Sequence, residues 1–311
     1  MDVLSSPLAL RRWSIASLVA NMLIVVTGAL VRVTKSGLGC PTWPRCDETS
    51  YVPHPEAGWH SYVEFGNRLL TFVLIAIAIG TALSAWRARH DGRPRLLLRS
   101  LSIAVGLGIV LQAVVGGISV LMQLDPWVVG LHMVLSVALI VVCTVIVHQA
   151  HEVSPASAPP LIQRLVRVAF LLAMVTMYLG TIVTGAGPHS GDGGVARNGL
   201  VVTDVARLHS IAMWMTLMLV AAVAFLARHL PRIRRAAFGV LAVAVLQGLI
   251  GYAQYLTGLP MELVLAHMAG TTLFTVAIAH LWLLGGFRGE VAPVDQKNRG
   301  SNAAEMNRIA R

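Results

Sequence analysis

"LQAVVGG" at residues 111–117 and "LQGLIGY" at residues 246–252 are two versions of one phrase. In each case a histidine follows the glutamine by 20 residues, Gln112 to His132 and Gln247 to His267. A second echo links "VVTGALVRVTKSG" at 25–37 with "IVTGAGPHSGDGG" at 182–194. One duplicated unit accounts for both coincidences. The stretch between the copies, 150–164, is rich in Pro, Ala and Ser and reads as a linker.

Each copy carries four apolar runs near or above the ~20 residues needed to cross a bilayer. They lie at 14–33, 62–86, 100–122 and 127–149, then at 165–185, 205–227, 236–257 and 262–286. The chain is 56% hydrophobic and only 12% charged, a balance a soluble chain of 311 residues does not tolerate. The expected fold is an all-α integral membrane protein with eight transmembrane helices. They form two pseudo-symmetric four-helix bundles, 14–149 and 165–286. An even number of crossings per half gives both copies the same orientation, and such bundles build cofactor sites between facing helices. The first run is too long for a removed signal peptide and lacks a small-residue cleavage site. Residues 1–13 form a short N-terminal segment, and 287–311, polar and poor in large apolar residues, are expected to be a disordered tail.

The net charge of +10 has a topological origin. Arg11 and Arg12 precede the first run, Arg87, Arg89, Arg93, Arg95 and Arg99 follow the second, and Arg228, Arg232, Arg234 and Arg235 follow the sixth. The connections around Asp125 and Gly258 hold neither Lys nor Arg. This is the positive-inside pattern, which puts both termini in the cytoplasm and leaves no reason to invoke a nucleic-acid partner. The loop "SGLGCPTWPRC" at 36–46 then faces outward from a cell membrane, where a disulfide between Cys40 and Cys46 can form and persist. So short a loop gains little from closure entropy, so local shaping or redox work are the stronger reasons for the pair. Zinc would need two further ligands. Cys143 reads as a small core residue.

The repeat makes the histidines interpretable. His132 and His267 are matched; His209 is matched by Asn67, and Glu64 by Ala206. All lie in the outer turns of their runs, where ligand-type side chains inside a membrane default to a functional reading. A lone histidine at a helix end is usually an interfacial residue, but a pair at matched depth suits the two axial ligands of a haem, here His209 and His267. Zinc would want a third ligand, and the second half offers only His189 in a loop. The first half has an amide where the second has a ligand, plus the extra carboxylate of Glu64. His60, one turn before Glu64, is a candidate to replace the missing ligand or a wet interfacial residue. Arg32, Arg68 and Arg207 are candidates for haem propionates, with interfacial snorkelling the alternative. Glycines 116, 117, 248 and 251 permit close helix contact or leave room for a macrocycle.

These residues carry a resemblance. With "TGALVRVTKSGLGCPTWPRC", "VEFGNR", His132, "VTGAGPHSGD", His209 and His267, the chain resembles the haem A synthase family over nearly all of 14–286, and its composition points to the actinobacterial branch. The resemblance implies an oxidoreductase that converts a methyl substituent of haem O to a hydroxymethyl and then a formyl group. It implies a haem b held by His209 and His267, substrate haem O in the first half, a reaction that depends on Glu64, and a Cys40–Cys46 disulfide. Asn67 departs from the commoner pattern, in which a histidine follows the glutamate by three positions, so His132 alone or His132 with His60 would hold the substrate iron. Expected partners are haem O synthase, the terminal-oxidase assembly route and an unidentified electron donor or acceptor; homo-oligomerisation is left open. On these expectations Glu64 accepts a proton or guides water at the reacting edge, and the Cys loop is a lid or redox element. The rival readings are a bis-histidine electron-transfer cytochrome, which needs neither Glu64 nor an unmatched first half, and a non-catalytic oxidase-assembly protein. A transporter would be expected to have broken helices at the midplane.

Overall fold

The computed structural model describes residues 6–90, 92–189 and 191–286; the expected tail at 287–311 and residues 1–5 of the expected N-terminal segment lie outside the described residues. Among the described residues are eight long helices, each apolar enough to cross a membrane. They are α1 Pro7–Val33, α2 Trp59–Arg87, α3 Leu96–Leu121, α4 Pro126–Ala150, α5 Pro160–Ala186, α6 Val202–Leu226, α7 Pro231–Leu256 and α8 Met261–Gly285. The sequence reading placed all eight but began several too late. Hydropathy does not see a polar first turn, whereas α1, α4, α5 and α7 start at a proline whose missing N–H costs nothing there. Ser6 caps α1 by accepting from the Ala9 N–H, and Asp125 caps α4 by accepting from Trp127 and Val128. In the basic α2–α3 connection, read as plain loop, β1 (Arg89–His90) and β2 (Arg93–Pro94) pair antiparallel.

Consecutive helices pack in each half, α1 also closes on α4, and α5 on α8. Each ring has its own apolar core. One holds Leu10, Leu74, Val105, Ile109 and Ile146; the other holds Val166, Val220, Val240, Ile278 and Leu281. The halves meet where α1 touches α8 and where α4 touches both α5 and α8. Polar side chains within the helices return their hydroxyls to the preceding turn, as Thr144 does to Ile140 O and Thr216 to Ala212 O, which satisfies them within their own helix. All of the loop 34–58, the α3–α4 turn and the 187–201 connection gather at one end of the molecule, and the arginine-rich connections lie at the other.

Candidate functional site

In the second half, His209 on α6 and His267 on α8 face each other with ring centroids 6.5 Å apart and planes at 74°. Two metal–nitrogen bonds of about 2 Å each, plus about 1 Å from each nitrogen to its ring centre, come to ~6 Å, so one metal ion fits between them. His209 Nδ1 donates to the Thr176 carbonyl at 2.9 Å. A carbonyl only accepts, so Nδ1 carries the proton and Nε2 keeps the lone pair a metal needs, the usual tautomer of a ligating histidine. Glycines back both rings: a Cβ at Gly180 would stand 3.2 Å from His209 Cε1, and one at Gly251 3.4 Å from His267 Cε1. Gly251 was among the glycines singled out in the sequence; Gly180 was not, because its repeat counterpart is Leu23.

The first half keeps one such contact. His132 on α4 lies over Gly116 of α3, where a Cβ would stand 3.3 Å from Cε1, and its Nδ1 is buried without a hydrogen-bond partner. Gln112 donates to the His132 carbonyl at 3.1 Å and to Ser136 Oγ at 2.7 Å, tying that turn of α4 to α3. Opposite, Asn67 accepts a hydrogen bond from Thr27 at 2.8 Å and so is held against α1. His60 sits in the first turn of α2, hydrogen-bonded through Nδ1 to Ser36 Oγ at 3.0 Å and stacked on Trp59. Among the described residues no hydrogen bond or ring contact joins it to His132.

The Cys loop closes on this half. Cys40 and Cys46 form a disulfide, and among the described residues no group of three or more His, Cys, Asp or Glu side chains converges to hold a metal ion. Glu64, 5% exposed, accepts the Cys40 N–H through one carboxylate oxygen at 2.5 Å and the Arg68 guanidinium through the other. Arg68 in turn donates to the carbonyls of Cys40, Thr42 and Arg45. A carboxylate and a guanidinium one helical turn apart thus grip the loop backbone; the spacing was visible in the sequence, the loop atoms they hold were not. Ser61 Oγ donates to the Gly39 carbonyl at 2.6 Å, and any side chain at Gly39 would overlap the His60–Ser61 backbone. Trp43 reaches across to α3 and lies on Gly117, where any side chain would overlap its indole. Gly116 and Gly117 therefore carry the histidine and the loop side by side. Tyr252 takes the place of Gly117 in the second half, and Trp214 Nε1 donates to its hydroxyl at 3.3 Å.

Farther along the loop, Asp47 accepts from the Thr49 N–H and hydroxyl and from the Ser50 N–H, with His54 at 3.2 Å. These bonds, those from Thr49 first, hold its carboxyl below the ordinary value of 3.8. The other two propionate candidates differ in their surroundings. Arg32 donates to the carbonyls of Thr184 and His189, joining the halves at the loop end, where His189 also donates to the Leu259 carbonyl. Arg207 is exposed, 3.8 Å from Asp204.

Relatives of the chain include three bacterial proteins named "Heme A synthase". That of Geobacillus kaustophilus is 33% identical over 112 residues, 36% of this chain and 33% of that protein. That of Halalkalibacterium halodurans is 26% identical over 169 residues, 54% and 55% of the two chains. That of Lysinibacillus sphaericus is 32% identical over 125 residues, 40% and 39%. The chain thus matches from a third to just over half of the length of these relatives. The family described as cytochrome oxidase assembly protein matches residues 11–190, more than half of the chain, including the Cys loop, the Glu64–Arg68 grip and His132. On that match the chain, a multi-pass membrane protein, belongs to the cytochrome oxidase assembly protein family.

Proposed function

We propose that the chain is an oxidoreductase, a haem A synthase, that takes haem O in its first half and oxidises a methyl substituent to a formyl group through a hydroxymethyl stage. The observation that carries the reading is the inequality of two matched sites. One has a facing pair of histidines on glycine seats; the other has a single histidine beneath a clamped loop. That pattern suits one resident and one transient porphyrin. His209 and His267 would hold haem b, which supplies a one-electron redox centre when bound. His132 would take the iron of the substrate, with Asn67, fixed by Thr27, leaving the opposite side free of a protein ligand.

Converting the methyl to a hydroxymethyl group takes up one water and releases two protons and two electrons, and converting that to a formyl group releases two more of each, so water supplies the oxygen and an electron acceptor outside this chain takes part. Glu64 and Arg68 hold the Cys loop, whose Trp43 lies on Gly117 beside the Gly116 that seats His132, and a loop so held would limit the access of bulk water to the reacting edge. Glu64 would contribute through this grip, and as a proton acceptor once a substrate displaces one of its partners. The cell membrane, with both termini cytoplasmic and the Cys loop outside, completes the reading. Haem O synthase and the terminal-oxidase assembly route would be its neighbours in function.

The test is haem extraction and chromatography from cells lacking haem A, supplied with haem O synthase and either the wild-type chain or Glu64→Ala. Haem A is expected with wild type and at least tenfold less with Glu64→Ala, the range typical of losing one acid–base or positioning group, about 10²-fold or more. Wild type that binds haem yet accumulates only haems B and O would overturn the synthase reading in favour of an electron-transfer cytochrome.

A further inference from the structure

At the end of the molecule remote from the Cys loop, a cleft of about 410 Å³ opens between α7, α8 and the linker. Arg232, Arg235 and His280 line it on the polar side, and Ala236, Ala277 and Leu284 on the apolar side. We propose that this cleft binds the phosphate of an anionic phospholipid, with the glycerol and the first part of an acyl chain against the apolar wall.

The charges are arranged for a ligand from outside the chain. Arg232 is anchored by one donation from Nη2 to the Ser154 carbonyl at 2.8 Å, leaving its other N–H groups directed elsewhere. Arg235 is exposed and makes no hydrogen bond or ion pair among the described residues. His280 is fixed through Nδ1 to His148 Nε2 at 2.7 Å, which leaves its Nε2 for a further partner. The acid nearest in sequence, Glu152, is drawn away to Arg95 at 3.5 Å and His90 at 3.7 Å. Neighbouring cations are spent elsewhere: Arg234 lies over the Phe238 ring and Arg228 over Phe225. Two guanidinium forks with no carboxylate in the lining among the described residues match a phosphate, whose oxygens accept paired N–H bonds. Gly239 follows Arg235 by one helical turn and has open space where a side chain would be, so the groove continues along α7 away from the charges. A free phosphate would leave that apolar continuation uncovered; a phospholipid covers both. Basic clefts between helices at this level are where anionic headgroups bind.

Native mass spectrometry of the full chain in detergent tests this, using phosphatidylglycerol and phosphatidylcholine of the same acyl composition, and inorganic phosphate as competitor. The expected result is selective retention of phosphatidylglycerol, an apparent affinity about fivefold lower for Arg235→Gln, and no change for Arg228→Gln, at the same end but outside the cleft. Gly239→Leu, which fills open space and removes no charge, should also lower retention. Equal retention of both lipids, or an equal loss from Arg228→Gln, overturns the site. Complete displacement by millimolar inorganic phosphate overturns the lipid as its occupant. Circular dichroism of Arg235→Gln and Gly239→Leu, expected to match wild type, separates loss of the site from loss of fold.

Discussion

Three histidines lie on three glycines, and at the residue scale this contact is what a porphyrin site in this chain would depend on. Gly180→Val would drive a branched side chain into His209, an overpacking that costs about 1–3 kcal/mol and displaces the ring from its partner. The haem-to-protein ratio of the purified variant should fall at least several-fold, while Gly106→Val, on α3 of the other half with nothing near its Cβ, should keep its haem. Arg68→Ala would strand the Glu64 carboxylate against the loop and take a donor from three carbonyls, of which that of Arg45 keeps the Thr42 hydroxyl. Removing one partner of a buried pair costs on the order of 3 kcal/mol, readable as a lower thermal midpoint in detergent. Asp47 gives a pH dependence with a definite sign. Its carboxyl is held below 3.8, so its contribution to the 47–50 turn is complete above that value and is lost as pH falls through its lowered value. The Thr49 amide, followed by NMR or hydrogen exchange, should be unchanged down to about pH 5 and lose protection only below 3.8.

At the scale of elements, the 36–46 loop is held by several independent devices, of which the disulfide is one. Closing so short a loop accounts for about 2 kcal/mol in the chain-entropy treatment. Cys40→Ser with Cys46→Ser should therefore lower the thermal midpoint modestly and leave the Glu64–Cys40 N–H bond in place. Gly117→Leu should lift Trp43 while sparing the disulfide, and tryptophan fluorescence of the variant should shift to the red as the indole meets water. The helices themselves were legible in the sequence because hydropathy integrates over a whole run. Their beginnings were not, since Arg11 and Arg12 lie inside α1 and an apolar count stops short of them. Glu64 and Arg68 stand at helical spacing in the sequence, but Arg68 reads there as a propionate candidate and not as the partner of the carboxylate. Their hold on Cys40, Thr42 and Arg45 was not legible, because the path of a loop back across a helix leaves no period in the sequence.

Across the whole molecule, the duplication was readable from two short echoes, and with it the pairing of His209 with His267. The seam between the halves was not readable: the repeat aligns Arg32 with His189 and Thr27 with Thr184, but an alignment of the copies says nothing of which positions touch across them. Arg32 reaches Thr184 and His189 at one end, and His148 meets His280 at the other. Replacing either His148 or His280 with leucine leaves one buried or half-buried imidazole without its bond, at about 1–3 kcal/mol. The double replacement should cost less than the sum of the two, a coupling that thermal unfolding of the four variants would measure. A last consequence concerns the tyrosine at 252. Its bulk stands where Gly117 seats the indole, so the second half could not receive a cover even if it inherited the cysteines. On the proposed reading, a swap of ligands alone would not exchange the roles of the two halves, because the bare patch of helix that seats the loop is filled by Tyr252 in the second.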